Sequence, residues 1–366
     1  MINDITVIDA TTHAYNLADR NLARTGSGPS RYAFVYREVL YGMHQRFMRP
    51  DQQLPRELFC SDWSPQILAE TLFIESNVDI AVHHRLRLDS LLVDGLCAHE
   101  KNVELTKRWP QRFLTYAGVN PLDGVEACVA DLRQQVAELP STIGVKLYPD
   151  SGSPDRSWRL DDPQYEPLFA TVAELGLKVV AVHKIVPNGL VPLFPYRIDD
   201  LEMAAIRHPE LNFEIVHAGM PPFIEEVAMA LMRLPNVYAN LEITSALLHA
   251  GFGQVLDGLA QFFGVGAARK IIYSSGAMHF HPQPIIEWLA ELSFPDELLG
   301  RYRIPQVTEE DRANILGGTY ARMLDLNLDQ LRAGIADDEF ALAKAAAPDA
   351  PPWSRWRAAV EPVPAS

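Results

Sequence analysis

The chain is poor in cysteine. It has three in 366 residues, Cys60, Cys97 and Cys128, with no close pair and no CxxC spacing. That excludes a disulfide framework and a thiolate zinc site, and it suits reduced thiols in a cytoplasmic protein. Basic residues are also short: 32 Lys and Arg stand against 47 Asp and Glu, a formal charge of −15. Such a balance argues against a nucleic-acid partner, because phosphate binding needs a basic surface. It leaves the local field of a pocket open. No uninterrupted apolar run approaches the roughly 20 residues that span a bilayer. MINDITVIDA lacks the basic and apolar regions of a signal peptide. The expectation is a cytoplasmic protein with no membrane partner. Missing too are a GxSxG elbow, a GxxxxGK(S/T) phosphate loop and a GxGxxG turn after the first strand. Serine-triad, P-loop and dinucleotide chemistry are therefore unsupported.

What is present is enough apolar sequence, 48%, for a large core, arranged as eight strand candidates. These are ITVIDA (5–10), VDIAVH (78–83), RFLTYAGV (112–119), TIGVKLY (142–148), LKVVAVH (177–183), LNFEIVH (211–217), NVYANLE (236–242) and KIIYSS (270–275). Most are continuous apolar runs, as in strands covered on both faces. Helical patterns separate them, such as 124–139, 167–176 and 224–234. The alternation predicts an α/β fold, a closed (β/α)8 TIM barrel over residues 1–330, in preference to an open doubly wound sheet. A long insertion, 14–77, follows strand 1. Its stretch RYAFVYREVLYGMHQRF (31–47) has helical spacing and suits a lid, from which Tyr36, Tyr41, His44 and Phe47 reach either the pocket or the barrel wall. The extension 331–366 is rich in Ala and Pro towards its end and is expected to be a partly mobile tail or a strap.

Three histidines stand at or just beyond the ends of strand candidates: His13 after strand 1, His183 and His217 at the ends of strands 5 and 6. In a barrel the strand C-termini share one mouth, so three imidazoles far apart in sequence are expected to meet. Glu242 ends strand 7, and His279 and His281 lie beyond strand 8. Imidazole and carboxylate are zinc ligands, and zinc-bound water is a nucleophile at neutral pH. Without a metal, His183 or His217 offers a general base. Lys146 ends strand 4, where an ammonium holds a substrate carboxylate or a developing oxyanion; the plainer alternative is an ion pair with a carboxylate such as Glu242. Tyr15 and Tyr148 offer hydroxyls to a substrate. Of His83 and His84 one faces the mouth, and His83 is taken as the substrate contact. SSG (274–276) resembles a small anion cradle, with Ser275 as its contact.

Ordered along the chain, these patterns resemble the amidohydrolase superfamily, in the branch of amidohydrolase-related hydrolases and the aminocarboxymuconate-semialdehyde decarboxylase group, over roughly residues 2–330. VIDATTH resembles the strand-1 IDxHxH motif, and GVKLYP the strand-4 GxKLxP. VVAVH and IVHAG resemble the strand-5 and strand-6 histidine motifs. RWPQRFLTYAGVNPL, IIYSSGAMHF and NILGGTYARML resemble the strand-3, strand-8 and following-helix segments. The resemblance implies that His13, His183 and His217 match family histidines. Thr11 stands where the first strand-1 histidine belongs, Gly276 where the strand-8 aspartate belongs, and Thr319 replaces an asparagine. It therefore implies no complete metal cage and no tightly bound cofactor. Zinc or manganese held weakly by His13 and His183, with help from His217, Glu242 or His279, is the alternative. The expected activity is hydrolysis of a C–O or C–N bond, such as a lactone, in a small organic substrate. Decarboxylation of an aromatic or unsaturated acid is the second reading, and a non-catalytic metabolite binder the third. The family habit adds a homodimer.

Overall fold

The apolar runs close into one barrel. The computed structural model describes residues 1–360. Its strands β1 (Ile8–Thr12), β2 (Ile80–His84), β3 (Phe113–Gly118), β4 (Thr142–Leu147), β5 (Val179–His183), β6 (Asn212–Val216), β7 (Val237–Asn240) and β8 (Ile271–Ile272) are hydrogen-bonded in that order. Every neighbouring pair is parallel. Beyond β8 the chain runs back alongside β1: Ala10 N–H donates to Tyr273 O, Gly276 N–H to Thr11 O and His13 N–H to Ala277 O. The sheet thus returns to its first strand, and the fold is the TIM barrel that the alternation predicts. The first strand lies slightly later than its apolar run suggested, at Ile8–Thr12 rather than 5–10.

Both faces of the strands are covered, which is why their sequences read as unbroken apolar runs. One set of side chains, including Ile8, Val82, Val179, Ala181, Val216 and Ile272, fills the barrel. The alternate set, including Val145, Val180, Val182, Phe213 and Ile215, lies under the helices. Helix α1 (Arg31–Phe47) belongs to the insertion. The outer layer is α2 (Pro65–Phe73), α3 (His99–Arg108), α4 (Val125–Glu138), α5 (Glu166–Glu174), α6 (Asp199–Arg207), α7 (Ile224–Arg233), α8 (Gly253–Gly264) and α9 (Pro282–Ala290). The last part of the expected insertion is therefore a barrel helix, α2, whose Phe73 packs on Phe113 of β3 at 5.1 Å.

Helix α1 starts at Ser30, whose hydroxyl accepts from Ala33 N–H at 3.1 Å, a side-chain N-cap. Its buried residues Ala33, Tyr36, Arg37, Leu40 and His44 recur at helical spacing and form the face turned to the barrel. Phe47 continues that face and packs on Phe252 (5.1 Å) and Phe280 (6.5 Å), whereas Tyr41 lies off it. His44 Nδ1 donates to His279 O at 2.8 Å, and His279 Nε2 donates to Leu40 O at 2.8 Å. The insertion is thus bonded to the segment that follows β8.

The C-terminal extension, expected to be a partly mobile tail or a strap, is helical over much of its described length. Helices α10 (Leu328–Ile335), α11 (Glu339–Ala346) and α12 (Ser354–Val360) pack on the barrel; the final residues, 361–366, lie outside the described residues. Trp353 is completely buried. Its indole N–H donates to Gln52 O at 2.7 Å, and its ring meets the His281 ring edge-on at 4.7 Å. Glu75, also buried, accepts from Trp353 N–H (2.9 Å), Ser354 Oγ–H (2.9 Å) and His281 Nε2–H (3.1 Å). A carboxylate at the start of α12 answers N–H groups that have no partner within the helix. Among the described residues, no helix is long and apolar enough to cross a membrane. Trp353→Ala is expected to cost about 3–5 kcal/mol in urea denaturation, the usual price of a buried tryptophan. A loss under about 1 kcal/mol would show that the strap is not part of the folded core.

Candidate active site

Strand alternation decides which side chains meet at the mouth. On β4, Gly144 and Lys146 face inward while Val145 and Leu147 face the helices. On β5, Val179, Ala181 and His183 face inward. On β7 the inward positions are Asn240 and, two residues on, Glu242. His217 breaks the pattern, since Val216 before it already faces the barrel interior. It joins the mouth because its own φ is 69°, a left-handed turn that redirects the side chain. Ile185 (φ 70°) and Ile243 (φ 62°) make equivalent turns after β5 and β7. Left-handed β-branched or bulky residues cost about 1–3 kcal/mol each and concentrate at functional sites.

These turns bring together His13, Lys146, His183, His217 and Glu242, all buried. His13 Nε2 donates to Glu242 Oε1 at 3.0 Å. The Lys146 ammonium stands 3.6 Å from Glu242 Oε2, and neither atom has a hydrogen-bond partner of good geometry among the described residues. Burial alone would raise the Glu242 carboxyl, but Lys146, His217 and His13 hold it well below the ordinary carboxylate range. Burial pushes Lys146 down, against the pull of Glu242 and Glu214. Both the ion pair and the oxyanion donor anticipated for Lys146 are therefore open to it.

His183 and His217 form a chain between two carbonyls. His183 Nε2 faces Val186 O at 2.7 Å, His183 Nδ1 faces His217 Nε2 at 3.1 Å, and His217 Nδ1 faces Glu242 O at 3.0 Å. Carbonyls only accept, so three hydrogen bonds need three protons on four ring nitrogens; two neutral imidazoles carry two. Burial pushes His217 down to about 4, against Glu242, and holds His183 well below the usual imidazole value. At neutral pH the pair is uncharged and one proton short of a complete chain.

Tyr15 stacks on His13 (5.2 Å, 17°) and Tyr148 on His183 (4.7 Å, 29°). Two expected substrate contacts lie elsewhere. His83 points to the helix side, where its Nε2 accepts from Ala14 N–H at 3.0 Å and its Nδ1 meets Asn102 Oδ1; His84 is the one that faces the mouth, against Tyr116 (4.3 Å) and His13 (5.4 Å). Ser275 also points outward, its N–H and Oγ–H both donating to Asp9 (2.9 and 2.5 Å). Ser274 takes the inward position, its hydroxyl buried and unpaired. His279 and His281 are spent on Leu40 O and Glu75. Asn240, which the sequence did not single out, accepts from Glu242 N–H at 3.0 Å and donates to Thr11 Oγ1 (2.9 Å) and Glu214 (2.7 Å). Cavities of about 930 and 650 Å³ lie away from this cluster, one around Arg87 and Asp131, the other at the opposite end of the barrel beside α10 and α11.

A closed α/β barrel with histidines, a lysine and a carboxylate at its strand ends defines a class of barrel enzymes. The amidohydrolase family model matches residues 82–326, and the chain belongs to that family, which is a family of enzymes. The match begins inside β2, beyond the strand that carries Thr11 and His13. The sequence matches no curated protein. Among solved structures, an uncharacterized TIM-barrel protein from Bordetella bronchiseptica is similar at 15% identity and TM-score 0.61, covering 88% of this chain and 99% of that one. A 4-oxalomesaconate hydratase from Rhodopseudomonas palustris is similar at 14% and 0.53 (91% and 100% covered). A 5-carboxyvanillate decarboxylase from Novosphingobium aromaticivorans, with bound manganese, is similar at 12% and 0.50 (88% and 98% covered).

The residues of this mouth do not fit such an ion. Thr11 and Gly276 supply no ligand, and Thr11 Oγ1 is already taken by Asn240. The inward nitrogen of His13 is bonded to Glu242, whose other oxygen faces an ammonium. Among the described residues no three His, Cys, Asp or Glu side chains form a metal-binding group. Gly276 has a further meaning. Its φ is +67°, and a Cβ there would lie 3.1 Å from Glu242 Cγ and 3.3 Å from Oε1. The Glu242 side chain fills the space beside position 276. Gly276→Asp is therefore expected to cost about 1–3 kcal/mol by overpacking. Adding Glu242→Ala to it is expected to restore the overpacking part of that loss, by making room and leaving Lys146 a carboxylate, while the strain of a side chain at positive φ stays. Denaturant melts of the three variants check this; a double variant less stable than Gly276→Asp would refute the shared space.

Proposed function

We propose that this amidohydrolase-family enzyme hydrolyses a C–O or C–N bond, a lactone being the first candidate, in a small organic substrate, by acid–base chemistry without a divalent ion. The observation that carries the reading is the His183–His217 chain, one proton short between two fixed carbonyls. Gaining a proton completes its third hydrogen bond, so the pair is built to accept one. Water adds to the substrate carbonyl, its O–H proton passes to the pair, and a C–O bond forms. The oxyanion of the tetrahedral intermediate meets the Lys146 ammonium. Glu242 stays ionised and offsets the charge gained by the imidazoles. The bond to the leaving oxygen or nitrogen then breaks, and that atom takes the proton back.

Decarboxylation is the second reading, supported by the shared fold of the 5-carboxyvanillate decarboxylase. There the C–C bond to the carboxylate breaks, CO2 departs, and the carbon takes a proton from the pair. The two readings differ in sign with pH. A base must be unprotonated, so hydrolysis is expected to persist at neutral pH and to fall on the acid side near pH 4, following His217, rather than near the usual 6.5. An acid must be protonated, so decarboxylation through the same pair would fall as pH rises above about 4. The pH–rate profile on a panel of aryl and aliphatic lactones, and on aromatic acids, separates them. Lys146→Met is expected to lower kcat about 10²–10³-fold on the lactone substrate. One equivalent of zinc or manganese in the purified protein, lost together with turnover in His183→Ala, would overturn the metal-independent reading.

A further inference from the structure

The end of the barrel opposite the mouth carries a hollow that the chemistry above does not use. Its volume is about 650 Å³, within the roughly 300–1,000 Å³ usual for small-molecule sites. It lies between α2, α10 and α11, beside the residues that lead into β2 and β3. Phe73, Val78 and Ile335, all buried, form its apolar wall. The space comes from the alanine-rich stretch ALAKAAAP (341–348), where Ala341 and Ala345 stand four residues apart on one face of α11. Ala345 and Pro348 at its edge are exposed, so the hollow is open to solvent.

Among the described residues, four charged side chains border it: Asp79, Arg112, Arg332 and Lys344. Arg112 gives two hydrogen bonds to Asp338 (2.6 and 2.8 Å) and one to Asp79 O (2.9 Å). Arg332 donates to Thr6 Oγ1 and to Asp4 O (3.0 Å), with Asp329 at 3.9 Å. Asp79 accepts from Val7 N–H at 2.9 Å and meets the Met1 amino group at 3.0 Å. Lys344 has no such answer. Its ammonium donates to Ser76 O and to Asn77 Oδ1 (2.7 Å), both uncharged, and among the described residues it makes no ion pair. Glu287 and Asp349, which share a second hollow with it under the strap, do not pair with it. One of its three protons is left over. Burial pushes its amine down to about 8, with Asp79 pulling against that shift and Arg112 adding to it. A part-buried cation without a counter-charge is unfavourable, and an anion beside it would relieve that.

We infer that this hollow binds an amphipathic monoanion, a medium-chain carboxylate, with its chain among Phe73, Val78 and Ile335 and its head on Lys344. Asp79 on the same wall repels a second negative charge, which favours a monocarboxylate over a phosphate. The site is separate from His217 and Glu242, and it stands whichever bond the mouth breaks.

Binding to the full-length protein, followed by calorimetry below micellar concentrations, tests this. Hexanoate, octanoate and decanoate are compared, with octanol and octylamine as the neutral and cationic counterparts of octanoate. Wild type is expected to bind octanoate best of those three, and each added CH2 is expected to tighten the carboxylate about fourfold, as for apolar surface leaving water. Lys344→Met keeps the apolar stem and is expected to weaken octanoate about tenfold, as for a lost hydrogen bond between charged groups, with octanol unchanged. Ala341→Phe fills the hollow from α11 and is expected to weaken both. Lys146→Met, at the mouth, is expected to change neither. Weakening in Lys146→Met but not in Lys344→Met would move the ligand to the mouth and overturn the site. Equal octanoate affinity in wild type and Lys344→Met, or a preference for octanol or octylamine, would overturn the anionic head. No gain with chain length, or no carboxylate binding at all, would overturn the apolar pocket.

Discussion

Glu242 sits in the mouth of the barrel with an imidazole 3.0 Å from one oxygen and an ammonium 3.6 Å from the other. Taking a carboxylate and an ammonium out of water costs several kcal/mol per ion unless the pair is held in good geometry. Much of the local structure supplies that geometry. Asn240 accepts the Glu242 N–H, the left-handed Ile243 turns the chain immediately after it, and His217 leans on its carbonyl. Gly276 leaves the space its side chain fills. The glycine where the family resemblance places a strand-8 aspartate and the glutamate one strand away are therefore best understood together. One carboxylate occupies that volume, and it comes from β7.

The barrel and much of this cluster were legible in the sequence. Mostly continuous apolar runs marked the strands, and His13, His183, His217, Lys146 and Glu242 stood out because each stands near the C-terminal end of one. What alternation alone leaves undecided is its phase. In a strand covered on both faces every residue is apolar, so nothing in VDIAVHH says whether His83 or His84 faces inward, nor in IIYSS whether Ser274 or Ser275 does. Counting from Ile80 and Val82, or from Ile272, settles both once the interior set is known. His217 is the opposite case. The phase of β6 would send it to the helices, and only a left-handed backbone, invisible in the sequence, turns it in.

The insertion and the extension were harder for a different reason. The spacing of Ala33, Tyr36, Leu40 and His44 was readable as one helix face, but not what that face meets. The Ala- and Pro-rich C-terminus has no periodicity to read, and its place depends on one tryptophan and one distant carboxylate, Glu75. Both segments work by long-range contacts. Trp353 grips Gln52 and Trp63 of the insertion (the two indoles 5.6 Å apart) as well as His281 beyond β8, and His44 ties α1 to His279. Contacts among three regions of sequence thus fix the insertion against the segment that follows β8, and the charged cluster itself is buried. In such surroundings every electrostatic contact in the cluster is stronger than it would be in solvent.

That enclosure bears on how chemistry can proceed once the inherited metal positions are lost. A divalent ion makes a nucleophile by lowering the pKa of bound water to about 7. An ammonium–carboxylate pair does not do this, because its charges already neutralise each other. In the proposed hydrolysis the water instead gives its proton to a group that gains something by taking it. Two imidazoles pinned between acceptors that can only accept have that property, and burial keeps them unprotonated until the reaction asks. The fold is shared with the family, while the chemistry must follow from what fills its mouth: in the proposed hydrolysis a lysine and a glutamate supply the fixed charges, and a histidine pair supplies the movable proton.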